Sequence, residues 1–322
     1  MTDRTPVETV FATPAGFADA QADAAHPSPA VLDIDVAGLR VGCFEGIDAL
    51  LIETAQATAA IALHGGHLLS WTPAGKRDVL WRSPRIAAPP AAIRGGVPVV
   101  WPYFGQQGQP GDGPAHGFAR TVHWSLLDAA EDADGAVSIT LAPPTFLDLG
   151  LELRMRLRIG AVLEQTLETT NTGAHAVAFT QALHSYFHVS DVAQVRVGGV
   201  DGLAFLDKND GYATPHVQQG DWRLDDARDP GRSDYVYVDA PGRYVLDDPG
   251  FDHRIELSTA GSRSLVVWNP GETAAGRTRD MDQGVWRDFI CLEAANAGSD
   301  IVQLAPGHTH VLTQKVRVEA RD

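Results

Sequence analysis

The chain has 322 residues, 44% of them hydrophobic, 20% charged and 7% aromatic, which is ample for a sizeable core and ordinary for a globular protein. Its 41 acidic against 25 basic residues give a formal net charge of −16, and there is no Lys/Arg run. That balance excludes a nucleic-acid binder, which needs a broad basic face. No window approaches the roughly 18 apolar residues of a membrane helix, so no membrane partner is expected.

Residues 1–30, rich in Ala, Asp and Pro, read as a flexible or weakly ordered tail ahead of one domain over 31–322. The N-terminus lacks a basic region followed by an apolar run, so it is no signal peptide and a cytoplasmic location is expected. Beyond residue 31 come short strands with turns between: "VLDIDV" (31–36), "LLIETAQATAAIALHGGHLLSW" (50–71) and "VSITL" (137–141). The clearest is "LELRMRLRI" (151–159), where Leu151, Leu153, Met155, Leu157 and Ile159 alternate with Glu152, Arg154, Arg156 and Arg158. That is an antiparallel strand with one wet face. Segments rich in β-branched and aromatic residues, each closed by Gly, Pro, Asn or Asp, continue to the C-terminus. The predicted class is mainly β, a large antiparallel β-sandwich. Cys43 and Cys291 each sit alone among apolar neighbours and read as buried thiols rather than a disulfide framework.

Four stretches carry candidate chemistry. In "IRGGVPVVWPYFG" (93–105) and "HGFAR" (116–120), Arg94 and Arg120 offer planar, bidentate guanidinium groups suited to a phosphate. The Gly95–Gly96 pair is expected to let backbone approach a ligand, with Pro98 and Pro102 stiffening the path. Each arginine is also an ordinary salt-bridge candidate. In "ALHSYFHVSD" (182–191), His184 and His188 lie on one strand face about 13 Å apart, too far for one metal. Tyr186 and Phe187 beside His184 are candidate walls for a sugar. In "FICLEAAN" (289–296), Glu293 is a carboxylate at the end of an apolar strand. Burial there would raise its pKa toward the range of a general base; a strand-end glutamate reaching water is the alternative. "HGGH" (64–67) is an isolated pair, and "PGHTHVL" (306–312) resembles a cupin metal site but lacks the downstream glutamate. No metal or other cofactor is expected.

Together and in this order the blocks "RGGVPVVWPYFG", "HGFAR", "ALHSYFHVSD", "VVWNPG" and "FICLEAAN" resemble the hexose-6-phosphate mutarotase branch of the aldose 1-epimerase (galactose mutarotase-like) family. The likeness covers about residues 40–318. It implies one β-sandwich domain with a wide concave face and a catalytic pair falling on His184 and Glu293. Phosphate-binding arginines fall on Arg94 and Arg120, and His116 falls at the sugar. A sugar-binding aspartate is expected at Asp234, with Asp207 the rival. The implied activity is interconversion of the anomers of a hexose 6-phosphate, with the sugar phosphate as sole partner and a monomeric chain. A non-catalytic carbohydrate-binding sandwich and an epimerase of unphosphorylated sugars remain the alternatives.

Overall fold

The structure is a computed structural model. It describes residues 10–11, 35–109, 113–146, 149–224 and 232–321. Its strands form four antiparallel sheets. The largest has eight strands, ordered Arg196–Gly198, Arg243–Asp248, His253–Ala260, Thr309–Ala320, Val162–Asn171, Leu151–Ile159, Val137–Ala142 and Ser125–Glu131. The Leu151–Ile159 strand has the predicted bounds, and its five apolar residues are all buried while Glu152, Arg154 and Arg156 are exposed. Alternation is faithful there because only one face of this sheet meets the core.

A seven-stranded sheet packs on that core. Its order is His216–Val217, Ala204–Asp207, Ser233–Val238, Ser264–Asn269, Phe289–Asn296, Gln181–His188 and Val99–Val100. One face of it (Leu183, Phe187, Ile290, Leu292, Leu265, Tyr237) joins the main core. The other face has its own small apolar floor of Val100, Ala182, Val236, Val266, Ala295 and Ala297, with Phe104 and Trp268 packed on it. A sheet wetted on neither face loses the alternating signature, and Phe289–Asn296 is buried at every position.

A four-stranded sheet runs Leu39–Phe44, Ile47–Glu53, Ala57–Ala62, His67–Pro73, and a two-stranded ribbon pairs Val177–Phe179 with Val302–Leu304. One expectation needs correction, and two fall mostly outside the described residues. Cys43 is exposed and only Cys291 is buried, because the Leu39–Phe44 strand lies at a sheet edge. Of the N-terminal 30 residues only Val10 and Phe11 are described, and they are docked: Ala178 N–H donates to the Val10 carbonyl (2.8 Å). The strand expected at 31–36 lies mostly outside the described residues, and residues 35–36 are not in a strand.

Candidate active site

Two adjacent central strands of the seven-stranded sheet set the centre of the site. Their register places His184 directly opposite Glu293, so both side chains rise from the same face. His184 Nε2 lies 3.3 Å from Glu293 Oε1. Glu293 is 1% exposed and sits within its strand rather than at the end, so it does not reach water. Its Oε2 and the Nδ1 of His184 are buried with no hydrogen-bond partner among the described residues. Native interiors rarely leave such atoms unsatisfied, and here both belong to one pair.

The electrostatics oppose charge on both members. Burial pushes the Glu293 carboxyl well above its usual range, aided by the negative charge of Asp234 and opposed by Lys208 and Arg120. Burial holds the His184 imidazole well below its usual value, reinforced by His116, Arg120 and Arg94. Each member therefore favours its neutral form in this dry site.

The two arginines reach this centre by different routes. Arg94 Nε lies 2.8 Å from Asp280 Oδ1, and Arg94 Nη1 donates to the Tyr186 hydroxyl at 3.3 Å. Burial opposes its charge, but Tyr186 and Asp280 outweigh that and raise its pKa. Arg120 sits on the short 3-10 helix Ala119–Thr121 and donates through Nη2 to the Ala115 carbonyl (2.8 Å). Among the described residues no carboxylate pairs with it, and its Nε is buried without a partner. Burial lowers its pKa; Tyr186 and Glu293 counter this, while Arg94 adds to it.

The glycines before Pro98 serve packing rather than ligand approach. Gly96 has φ 59°, and a Cβ there would sit 2.2 Å from the Leu68 carbonyl oxygen, so the turn is wedged against a neighbouring strand. Farther on, His116 itself adopts φ 69°. Its N–H donates to the Gly105 carbonyl (2.8 Å), and its Nδ1 accepts from the Gly105 N–H (3.3 Å). The ring is thereby fixed 5.8 Å from that of His184. Burial lowers its pKa to about 3, with Arg120, Lys208 and Arg94 contributing, so His116 is neutral.

Register also separates the two candidate aspartates. Asp234 pairs with Trp268, which pairs with Cys291 and so with Tyr186; all share the face of His184 and Glu293. Asp207 pairs with Tyr235, one residue out of phase and on the core side. There its carboxylate accepts from the Asn209 N–H at 2.9 Å. Asp234 Oδ2 lies 3.4 Å from Lys208 Nζ and 3.8 Å from Arg232 Nη2. Burial raises its pKa against the pull of Lys208 and Arg232.

The aromatic walls divide by the same rule. Tyr186 stacks on His184 (centroids 4.9 Å, 10°), and Trp268 meets both edge-on at 6.0 Å. Phe187 faces the core. Sequence reading missed Lys208, Asp280 and Trp268. Trp268 was available from its alternation in "SLVVWN"; the other two come from loops or strand ends that only the fold brings near.

Three histidines of the other two motifs are occupied elsewhere. His64 and His67 Nε2 meet the Ala91 and Gly95 carbonyls at 2.9 and 2.7 Å, and His310 Nε2 lies 3.2 Å from the Asn296 side chain. Among the described residues no three His, Cys, Asp or Glu cluster as a metal site, and no helix is long and apolar enough to cross a membrane.

Residues 48–317 match the family model for aldose 1-epimerase. A protein of Escherichia coli named "Putative glucose-6-phosphate 1-epimerase" is 35% identical over 85% of this chain and 92% of its own length. A Salmonella typhimurium protein of the same name is 34% identical over 79% and 84%. The crystal structure of a putative mutarotase from Salmonella typhimurium superposes with a TM-score of 0.79 at 32% identity, covering 88% of this chain and 94% of that one.

Proposed function

Because this chain belongs to the aldose 1-epimerase family and is thus an isomerase of the mutarotase type, we propose that it interconverts the α and β anomers of a hexose 6-phosphate, with glucose 6-phosphate its substrate. Glu293 is the base and His184 the acid. With the sugar phosphate bound, Glu293 as the carboxylate takes the proton of the anomeric O1 hydroxyl as the C1–O5 bond opens, and His184 as the imidazolium gives a proton to O5. The free aldehyde turns about C1–C2. The carbonyl then recloses with each proton returned, so the two groups end as they began. Neither step changes oxidation state. Arg94 and Arg120 bind the phosphate, while His116 and Asp234 hold sugar hydroxyls above the apolar floor.

The observation that carries the phosphate reading is Arg120: a half-buried guanidinium whose Nε is shut off from water and unpartnered, with no carboxylate pairing with it among the described residues, beside a second arginine. A cation in that state is costly unless an anion completes it. The anion also helps the chemistry. Two of the charges holding His184 below its ordinary value are Arg120 and Arg94. A phosphate dianion offsets both, so the imidazole regains proton affinity when the site is filled. Binding energy from the remote phosphate then aligns the pyranose with the pair.

The test is anomer exchange followed by NMR on purified protein, with sugar 6-phosphates against free sugars. Catalysis of glucose 6-phosphate at a kcat/KM about tenfold or more above that of glucose supports the reading, since a charge-assisted bond contributes about 1.5–3 kcal/mol. Equal rates on both sugars would make the chain an epimerase of unphosphorylated sugars, and no exchange on any sugar a binding protein.

A further inference from the structure

Tyr186 is where the two ends of the site meet. Its ring lies parallel to the His184 imidazole. Trp81 stacks against it at 5.8 Å, Phe289 packs at 5.2 Å and Trp268 closes the edge. So enclosed, the ring cannot swing, and it in turn limits the plane the imidazole can take.

The hydroxyl faces the arginines. It accepts from Arg94 Nη1 at 3.3 Å, and the charge of Arg120 acts on it as well. A phenol has one proton to donate besides its lone pairs, and a guanidinium has no acceptor to receive it. Among the described residues that proton has no acceptor in the structure. Burial pushes the phenol's pKa up, so the proton is retained at neutral pH. A fixed O–H donor beside two guanidinium groups matches a phosphate oxygen, which takes several donors at once.

We propose that Tyr186 is a third ligand of the phosphate and the positioning residue for the acid: its hydroxyl donates to a phosphate oxygen beside Arg94, while its ring holds His184 in plane. This rests on the phosphate reading above. It assigns one residue two separable contributions, one to binding through the oxygen and one to turnover through the ring.

Two variants separate them. Tyr186→Phe keeps the stacked ring and removes the donor; Tyr186→Leu removes both. The probe is inorganic sulfate as a competitor of glucose 6-phosphate, with KM and kcat measured by anomer-resolved NMR. In Tyr186→Phe the sulfate inhibition constant and the KM for glucose 6-phosphate should each rise about tenfold, with the loss concentrated in KM. In Tyr186→Leu kcat should fall a further tenfold or so, on glucose as well as its phosphate. Circular dichroism and melting report whether each variant is folded, and the near-isosteric phenylalanine carries the test if leucine is not tolerated. If sulfate competes equally well in the wild type and Tyr186→Phe, the tyrosine is no phosphate ligand although the phosphate reading stands. If sulfate does not compete in the wild type at all, both fail.

Discussion

The outer face of the Leu151–Ile159 strand and the sheet face around His184 hold the same residue types under opposite conditions. On the outer face Arg156 lies 3.1 Å from Glu168 and Arg158 2.8 Å from Asp132; these groups are wet, and each charge has a partner of opposite sign. On the face around His184, Glu293 and His184 are buried with unpartnered atoms, and no carboxylate pairs with Arg120 among the described residues. Exposed ion pairs contribute little to stability. Buried groups that oppose their own charge cost stability, and they are retained where chemistry or a ligand uses them.

The largest difference between the regions should lie in catalysis. Glu293→Gln and His184→Asn should each lower kcat/KM by about 10²–10⁴-fold, as for general acid–base groups, with circular dichroism unchanged. Near-normal turnover in either variant would remove the assigned roles.

Arg120→Ala and Arg94→Ala should each lower kcat/KM for glucose 6-phosphate by about 10–150-fold and for glucose far less. Arg120, with no acid to neutralise it, should show the larger effect. Lysine at either position should recover only part, keeping charge but not the fork. Equal losses on both sugars would mean that the arginines only hold their loops. The matching substitution on the outer face, Arg156→Ala, should change neither kinetics nor stability by more than about 0.5 kcal/mol.

The comparison also predicts opposite outcomes for activity and stability at Glu293. Its carboxyl pKa is raised in the folded protein, so the fold favours the protonated form. That contribution is full below the unfolded value of about 4.5 and is lost as pH rises through the folded one. Glutamine, neutral throughout, should therefore melt higher than the wild type at pH 8, by about 2–4 °C, and the gap should close near pH 4. In the rate, the same ionisation gives an acid limb well above pH 4.5, measured on glucose because the substrate phosphate itself titrates near pH 6.

A separate effect belongs to the histidines. Burial lowers both His67 and His116 to about 3, so they are neutral when folded and take up protons first on unfolding. Stability from each is present above about pH 6.5 and is lost as pH falls toward 3, at up to about 1.4 kcal/mol per pH unit. His67→Gln should flatten that slope in denaturant titrations, and an unchanged slope would contradict the burial argument.

How much of this was legible in the sequence depended on which faces of a strand meet water. Leu151–Ile159 is half wet, so its alternation gave its bounds and faces directly. Phe289–Asn296 is dry on both sides, so nothing in "FICLEAAN" says that Glu293 lies mid-sheet opposite His184; register between strands more than 100 residues apart decides that. Asp234 and Asp207 look alike as short acidic sites, and only the pairing of Asp207 with Tyr235 puts it on the core side. The Gly95–Gly96 pair signalled close backbone approach, but the approached group is another strand. Asp280 and Lys208 carry no local pattern that distinguishes them from solvated charges.

The most direct measurement of the central claim is the wild-type ratio of kcat/KM for glucose 6-phosphate to that for glucose, from anomer exchange by NMR, with and without sulfate. The account predicts a ratio of about ten or more that falls toward one as sulfate fills the arginine site. A ratio near one, unmoved by sulfate, would contradict it.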